Sequence, residues 1–225
     1  MTTTTPTSEN DAALTERFEQ IAEDILKELG QQDLLREEAL TLSRQVIRSA
    51  ARAIRATHRG DLAQAEDELA KACDNMTRLE RIVQECPLFS ATGYVSAAQK
   101  EYAEAHLTYA LLQGKPLPHP SELRVAEAPF LNALGETVGE LRRSILDALR
   151  QDRIAPCEER LEIMQQIYDF LATVDFPDAL TGGLRRTTDV TRRILENTRA
   201  DLTTALRQRT LQQALERLEE RLPPL

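Results

Sequence analysis

Apolar residues recur at spacings of three and four along nearly the whole sequence, and this periodicity limits the fold more than any other feature. Such spacing places apolar side chains on one face of an α-helix, whereas a β-strand would alternate at every second residue. No alternating stretch of useful length occurs. Few glycines, no tryptophan and many Ala, Leu, Glu, Gln and Arg residues strengthen the helical preference. The sequence therefore predicts an all-α protein, and the lack of an internal repeat or linker predicts a single domain.

The periodic segments predict about seven helices, at residues 11–29, 33–58, 62–85, 96–112, 129–151, 156–173 and 184–221. Gly30 is expected to end the first helix, and Asp33 to be the N-cap of the second. The last helix would be about 57 Å long, and a helix longer than a small domain usually packs against a partner, which predicts an oligomer. Residues 1–10 are expected to form a disordered tail, and residues 11–225 the helical domain.

Composition excludes several classes of function. No apolar run approaches the ~20 residues of a membrane span, and the first residues do not resemble a signal peptide. Three cysteines without a CxxC spacing are typical of reduced thiols, so we expect a cytoplasmic protein. No phosphate-binding loop, nucleophile elbow or HExxH motif is present, and His58, His106 and His119 lack the spacing of metal ligands.

The second predicted helix carries an arginine stripe in a chain whose net charge is −9. The arginine stripe consists of Arg44, Arg48, Arg52, Arg55 and Arg59. These side chains fall within an arc of about 80°, and no acidic residue lies between them. Two interpretations remain open: a solvated face paired with acids of the next helix, or a ridge that binds phosphates.

A second basic run lies in the last helix and is diluted by acidic residues. It consists of Arg185, Arg186, Arg192, Arg193 and Arg199. Neither basic segment contains interleaved aromatic residues, so stacking on bases is not indicated. Contacts would be made with phosphate and sugar, which favours weak sequence preference.

Two pairs of glutamates are the strongest candidates for chemistry. KEYAEAH places Glu101 and Glu104 on one face of a helix, and GETVGELRR places Glu136 and Glu140 on the side away from an apolar stripe. Periodicity alone predicts ordinary solvent-facing carboxylates. Gly135 and Gly139, however, would let another backbone approach closely beside the second pair. Four converging carboxylates would need a divalent cation, arginines or bound protons, and oxygen ligands suit Mg²⁺ or Mn²⁺.

Taken together, KEYAEA, GETVGELRR and DFPDALTGGLRRTTDVTRRILENTRADLT resemble the translin/Trax family, and its shorter archaeal members in particular. The resemblance covers about residues 15–205. It implies an all-α fold, a closed octameric barrel and binding of single-stranded RNA or DNA. Trax-type subunits are Mg²⁺-dependent endoribonucleases, and their catalytic and metal-binding carboxylates correspond to Glu101, Glu104, Glu136 and Glu140. The sequence departs from Trax at Glu136, where Trax has the shorter Asp.

The leading hypothesis is a homo-oligomeric endoribonuclease that uses Mg²⁺, or Mn²⁺, held by these four glutamates. Single-stranded RNA, or DNA, would be bound through arginines of both basic segments, namely Arg44, Arg48, Arg52, Arg55, Arg59, Arg185 and Arg186. One alternative is a translin-like scaffold that binds single strands without cleaving them. Another is a helical adaptor whose partners are proteins.

Overall fold

The computed structural model describes residues 8–219, with side chains from residue 11 onward. Within that range the chain is helical and contains no β-strand, which confirms the predicted all-α class and the long last helix. The α-helices are α1 (Ser8–Arg59), α2 (Leu62–Glu85), α3 (Gly93–Leu112), α4 (Pro120–Leu123), α5 (Glu127–Leu149), α6 (Ala155–Thr173), α7 (Asp178–Thr181) and α8 (Leu184–Glu219). A 3₁₀-helix spans Pro87–Ala91. Most of the predicted N-terminal tail lies outside the described residues, and residues 8–10 begin α1.

The prediction of two separate helices before residue 59 is wrong, because α1 is one continuous helix of 52 residues. Gly30 does not adopt the positive φ of a helix-ending glycine; Gly60 does, at +74°. A glycine in a helix interior costs about 1 kcal/mol relative to alanine. A break would cost more, because four N–H and four C=O groups at the new ends would lose their helical partners. The helix therefore runs through both Gly30 and Asp33.

The long helices pack in a sequence that places α3 and α5 at the centre. The C-terminal half of α1 packs against α2 and α3, α3 also packs against α5, and α5 packs against α6 and α8. The main core contains fully buried Leu42, Leu79, Leu107, Leu141 and Ile145. Because α5 has neighbours on several sides, its polar face is also enclosed.

Two hydrogen bonds hold α7 and the start of α8 against α5. Asn132 Nδ2 donates a hydrogen bond to the Thr181 carbonyl at 2.8 Å, and Thr187 Oγ1 donates one to Asn132 Oδ1 at 2.6 Å. At Gly135, an added Cβ would lie 2.5 Å from Thr187 Cγ2. The absence of a side chain at Gly135 therefore allows the close approach that the sequence predicted. Gly139 has no atom within 4 Å of such a Cβ.

Both ends of the fold extend beyond the core. Residues 11–31, called the α1 arm below, are all exposed. The apolar side chains of this arm do not pack against the core of the described chain. They are Leu14, Phe18, Ile21, Ile25, Leu26 and Leu29. The end of α8 likewise exposes Leu211, Leu215 and Leu218. No helix among the described residues is long and apolar enough to cross a membrane.

Candidate metal centre and nucleic-acid cleft

Three of the four predicted carboxylates converge where α3 packs against α5. Glu101 and Glu104 extend from α3 and Glu136 extends from α5, and one oxygen from each lies within 4.8 Å of the others. Packing between these two helices produces the convergence, since the Glu136 side chain reaches α3 and forms an ion pair with Lys100, although 38% of it stays exposed. The three groups together offer an all-oxygen ligand set.

Glu104 is the buried member of this cluster, with 9% of its surface exposed. Burial, and after it the negative charges of Glu101, Glu136 and Glu140, together raise the pKa of Glu104 to about 8. Without a bound cation, Glu104 therefore carries a proton at neutral pH. A divalent cation at the cluster would favour the ionised form and displace that proton.

Lys100 is a component of the site that the sequence analysis did not identify. Its Nζ lies 2.7 Å from both carboxylate oxygens of Glu136 and 3.5 Å from Glu101 Oε1. Burial alone would lower the pKa of Lys100, but the hydrogen bond to Glu136 and the nearby carboxylate charges outweigh it and raise that pKa. The spacing of Lys100 and Glu104, four residues apart in KEYAEA, was the available signal, because it puts both on one helix face.

Glu140 lies beside the cluster and is held by other partners. His58, near the end of α1, places Nε2 2.5 Å from Glu140 Oε2, and Arg143 lies 3.8 Å from the same oxygen. The hydrogen bond from His58 lowers the pKa of Glu140 despite its partial burial. No local sequence pattern indicates this pair, because 82 residues separate its members.

A cleft of about 1230 Å³ opens between α3, α5 and the start of α8, and it reaches the carboxylates. Lys100, Glu104 and Glu136 line one part of the cleft. Arg185, Arg186 and Arg193 of the second basic run line another part. The fold thus brings the acidic cluster close to basic residues that are 49 to 92 positions away in sequence. Such an arrangement could hold a phosphate near a metal ion.

The arginine stripe is exposed along the second half of α1. Arg52 lies 3.8 Å from Glu68 of α2, and Arg59 donates a hydrogen bond to Gln64. The other three, Arg44, Arg48 and Arg55, form no ion pair within the described part of the chain. The stripe is therefore mostly available for an external anion, and Arg55 lies one helical turn before His58.

Comparison with known proteins places this geometry in a family. No protein-family model matches the chain. An uncharacterized protein of Methanocaldococcus jannaschii is 32% identical over 197 residues, which is 87% of each chain.

Solved structures give the same fold with closely matching extent. The crystal structure of AfC3PO has a TM-score of 0.76 and 30% identity, over 84% of this chain and 98% of that chain. AfC3PO in complex with duplex RNA has a TM-score of 0.74 and 31% identity over the same shares. The crystal structure of apo-NeC3PO shares the fold at a TM-score of 0.74 and 18% identity, over 82% of this chain and 96% of that chain. These structures are C3PO (translin/Trax) complexes, and the chain described here belongs to the translin/Trax family.

Proposed function

We propose that this protein is an RNA-binding, metal-dependent endoribonuclease. The observation that carries the proposal is the convergence of Glu101, Glu104 and Glu136. The last two line a cleft that is also lined by Arg185 and Arg186. A similar protein, AfC3PO, has been solved in complex with duplex RNA, which supports RNA as the ligand class. We therefore extend the predicted substrate from single strands to include duplex RNA in the tests.

The carboxylate cluster fits a small divalent cation. Mg²⁺–oxygen distances of about 2.0–2.1 Å put two ligand oxygens on the same ion at most about 4.2 Å apart. Only one pair among three octahedral ligands can be trans, and cis oxygens lie about 3 Å apart, so oxygens that lie within 4.8 Å of one another would have to close by up to about 2 Å around the ion. Mn²⁺ accepts the same hard oxygen ligands. A bound divalent ion would supply a water activated for attack and would offset charge on the phosphate.

The residues of the chain would then have separate tasks. Glu101, Glu104 and Glu136 would hold the ion, and the burial of Glu104 would limit the access of competing water. Arg185, Arg186 and Arg193 would orient an RNA phosphate beside it, because guanidinium groups match the geometry of phosphate oxygens. Glu140, fixed by His58, would complete the negative surface of the site. The arginine stripe would bind more distant phosphates along the same RNA.

We further propose that the protein is a homo-oligomer, with an octamer as the specific expectation from the family resemblance. Five apolar side chains of the α1 arm fall within an arc of about 80°. They are Leu14, Phe18, Ile21, Ile25 and Leu29. An apolar stripe on a helical segment that extends beyond the core of its own chain is typical of an association surface. Eight copies of this 25.3 kDa chain would form a particle of about 200 kDa.

The nuclease proposal is tested with end-labelled single-stranded and duplex RNA, incubated with Mg²⁺, with Mn²⁺ or with EDTA. We expect cleavage in either metal and none in EDTA. The Glu104→Gln and Glu136→Gln variants should lose at least about a hundredfold in rate, since each loses a ligand at the reacting ion. Glu85→Gln, an exposed change at the end of α2, is the matched control and should cleave normally. No product with either metal, or equal rates in all variants, would reject the enzyme.

A second candidate function is a translin-like scaffold that binds RNA or DNA without cleaving it. The ion pair between Lys100 and Glu136 favours it, because that pair already offsets part of the charge for which a metal would be needed. This function predicts nucleic-acid affinity that falls steeply with salt, with no metal-dependent product. Both functions predict binding, so the product assay separates them.

A further inference from the structure

Lys100 supplies a positive charge at the position where the carboxylate cluster needs a cation. Its Nζ contacts both oxygens of Glu136 at 2.7 Å and lies 3.5 Å from Glu101. Among the described residues, it is the positive group that forms ion pairs with these two carboxylates. The side chain is half-buried and also lines the cleft that contains Arg186 and Arg193.

A divalent ion and the Lys100 ammonium cannot both bind closely to the Glu136 carboxylate. Both would lie within about 3 Å of the same oxygens, and two positive centres this close repel strongly at reduced dielectric. A lysine is suited to leave, because its compact charge is carried on a flexible four-carbon stem with rotatable donors. An arginine in the same place would bind the carboxylate through two parallel hydrogen bonds and would be harder to displace.

We propose that Lys100 is a built-in counter-ion that competes with the divalent metal for Glu136 and, once displaced, binds a phosphate of the RNA in the cleft. The inference rests on the proposed function for the identity of the site and the ligand. It predicts that metal binding and RNA binding strengthen each other, because each favours the state in which Lys100 has left Glu136. Such coupling is reciprocal by thermodynamic necessity.

The first test measures metal affinity without any reaction. Free Mn²⁺ is followed by electron paramagnetic resonance during titration of the wild type and of the Lys100→Gln and Lys100→Arg variants. We expect Lys100→Gln to lower the Mn²⁺ Kd about tenfold, a value reduced from the full Coulomb effect because the pair is partly exposed. Lys100→Arg should raise the Kd. Opposite shifts from two changes at one position are not expected from loss of folding.

Lys115→Gln is the matched control, since it removes the same charge from a lysine that contacts Tyr109 and Glu66 outside the cleft. Its Mn²⁺ affinity should stay within about twofold of the wild type, because exposed charges at a distance are screened by salt. An unchanged or raised Kd in Lys100→Gln would overturn the inference. So would equal shifts in Lys100→Gln and Lys115→Gln.

The second test measures coupling with a hydrolysis-resistant phosphorothioate RNA, using fluorescence anisotropy with and without Mn²⁺. Mn²⁺ should tighten RNA binding more in the wild type than in Lys100→Gln, and equal tightening would overturn the phosphate contact. The proposed nuclease is judged separately. Higher Mn²⁺ affinity in Lys100→Gln without cleavage by any form would support the counter-ion and reject the nuclease. Cleavage by the wild type with an unchanged Mn²⁺ Kd in Lys100→Gln would support the nuclease and overturn the counter-ion.

Discussion

Replacing Gly135 by alanine should separate α8 from α5 and destabilise the protein. The new Cβ would lie 2.5 Å from Thr187 Cγ2, about 1 Å inside ordinary contact, and 3.3 Å from Leu171 Cδ1. Thr187 cannot rotate away freely, because its hydroxyl donates a hydrogen bond to Asn132 at 2.6 Å. Moving either helix would shift the arginines of α8 relative to the glutamate cluster. We therefore expect reduced RNA cleavage together with reduced stability.

The change in the free energy of unfolding of Gly135→Ala follows from two opposing effects. Over-packing of a tight contact typically costs about 1–3 kcal/mol, whereas alanine is favoured over glycine in a helix interior by about 1 kcal/mol. Gly139→Ala provides the matched control, since it lies in the same helix and its Cβ would meet no atom within 4 Å. The helix-propensity gain is common to both variants. Their difference should therefore equal the packing cost alone, about 1–3 kcal/mol in the free energy of unfolding.

The assay is thermal and urea denaturation of both variants and the wild type, at one protein concentration and with particle size checked. For a chain of this length, 1 kcal/mol shifts Tm by about 2–4 °C. Gly139→Ala should raise Tm slightly, and Gly135→Ala should have a Tm about 2–12 °C below it. Equal Tm values for the two variants would refute the close-approach argument for Gly135.

Three other outcomes are expected. Because the pKa of Glu104 is raised from 4.5 to about 8 in the folded state, the contribution of Glu104 to metal-free stability should be fully present below pH 4.5 and be lost as pH rises toward 8. Glu104→Gln should remove this contribution, which changes by at most about 1.4 kcal/mol per pH unit, as measured by urea denaturation between about pH 5 and 8. Arg44, Arg48 and Arg55 form no ion pair within the described part of the chain, and changing all three to glutamine should reduce the slope of log affinity against log salt by about 2 for single-stranded RNA. Arg78→Gln, which changes an arginine paired with Glu38, should leave that slope nearly unchanged. An unaltered slope in the triple variant would favour the protein-adaptor alternative. Phe18→Asp with Ile25→Asp should yield smaller particles by light scattering, and Gln20→Asp, on the opposite side of the α1 arm, should not.

Local sequence patterns predicted most of the helices but not where α1 is continuous. Periodicity identified the long α8 and the buried apolar stripes of α3 and α5. Gly30 and Asp33 are frequent at helix ends, yet both are compatible with a helix interior at modest cost. Whether a helix ends at such residues depends on the energy of the break as well as on the residues themselves. A rule based on residue type alone does not include that energy.

The candidate site was only partly predictable for a related reason. Periodicity gives the direction of a side chain relative to its own helix, but not which helix packs on that side. Periodicity alone therefore predicts a solvent-facing Glu136, whereas the side chain reaches Lys100 on α3. The contacts of Lys100 with Glu136 and of His58 with Glu140 depend on tertiary packing across 36 and 82 residues. The role of Glu136, where Trax has Asp, stays a prediction for the cleavage assay.

The continuity of α1 also fixes a geometric relation between the α1 arm and the site. A single helix of 52 residues is about 78 Å long and has no joint, so the direction of the apolar stripe at Phe18 is set relative to His58. Each residue inserted between them would rotate one end by about 100° and lengthen the rod by about 1.5 Å. Insertions near Gly30 would therefore change the angle between the apolar stripe and His58. Only insertions that add nearly whole turns would leave both ends facing their original directions.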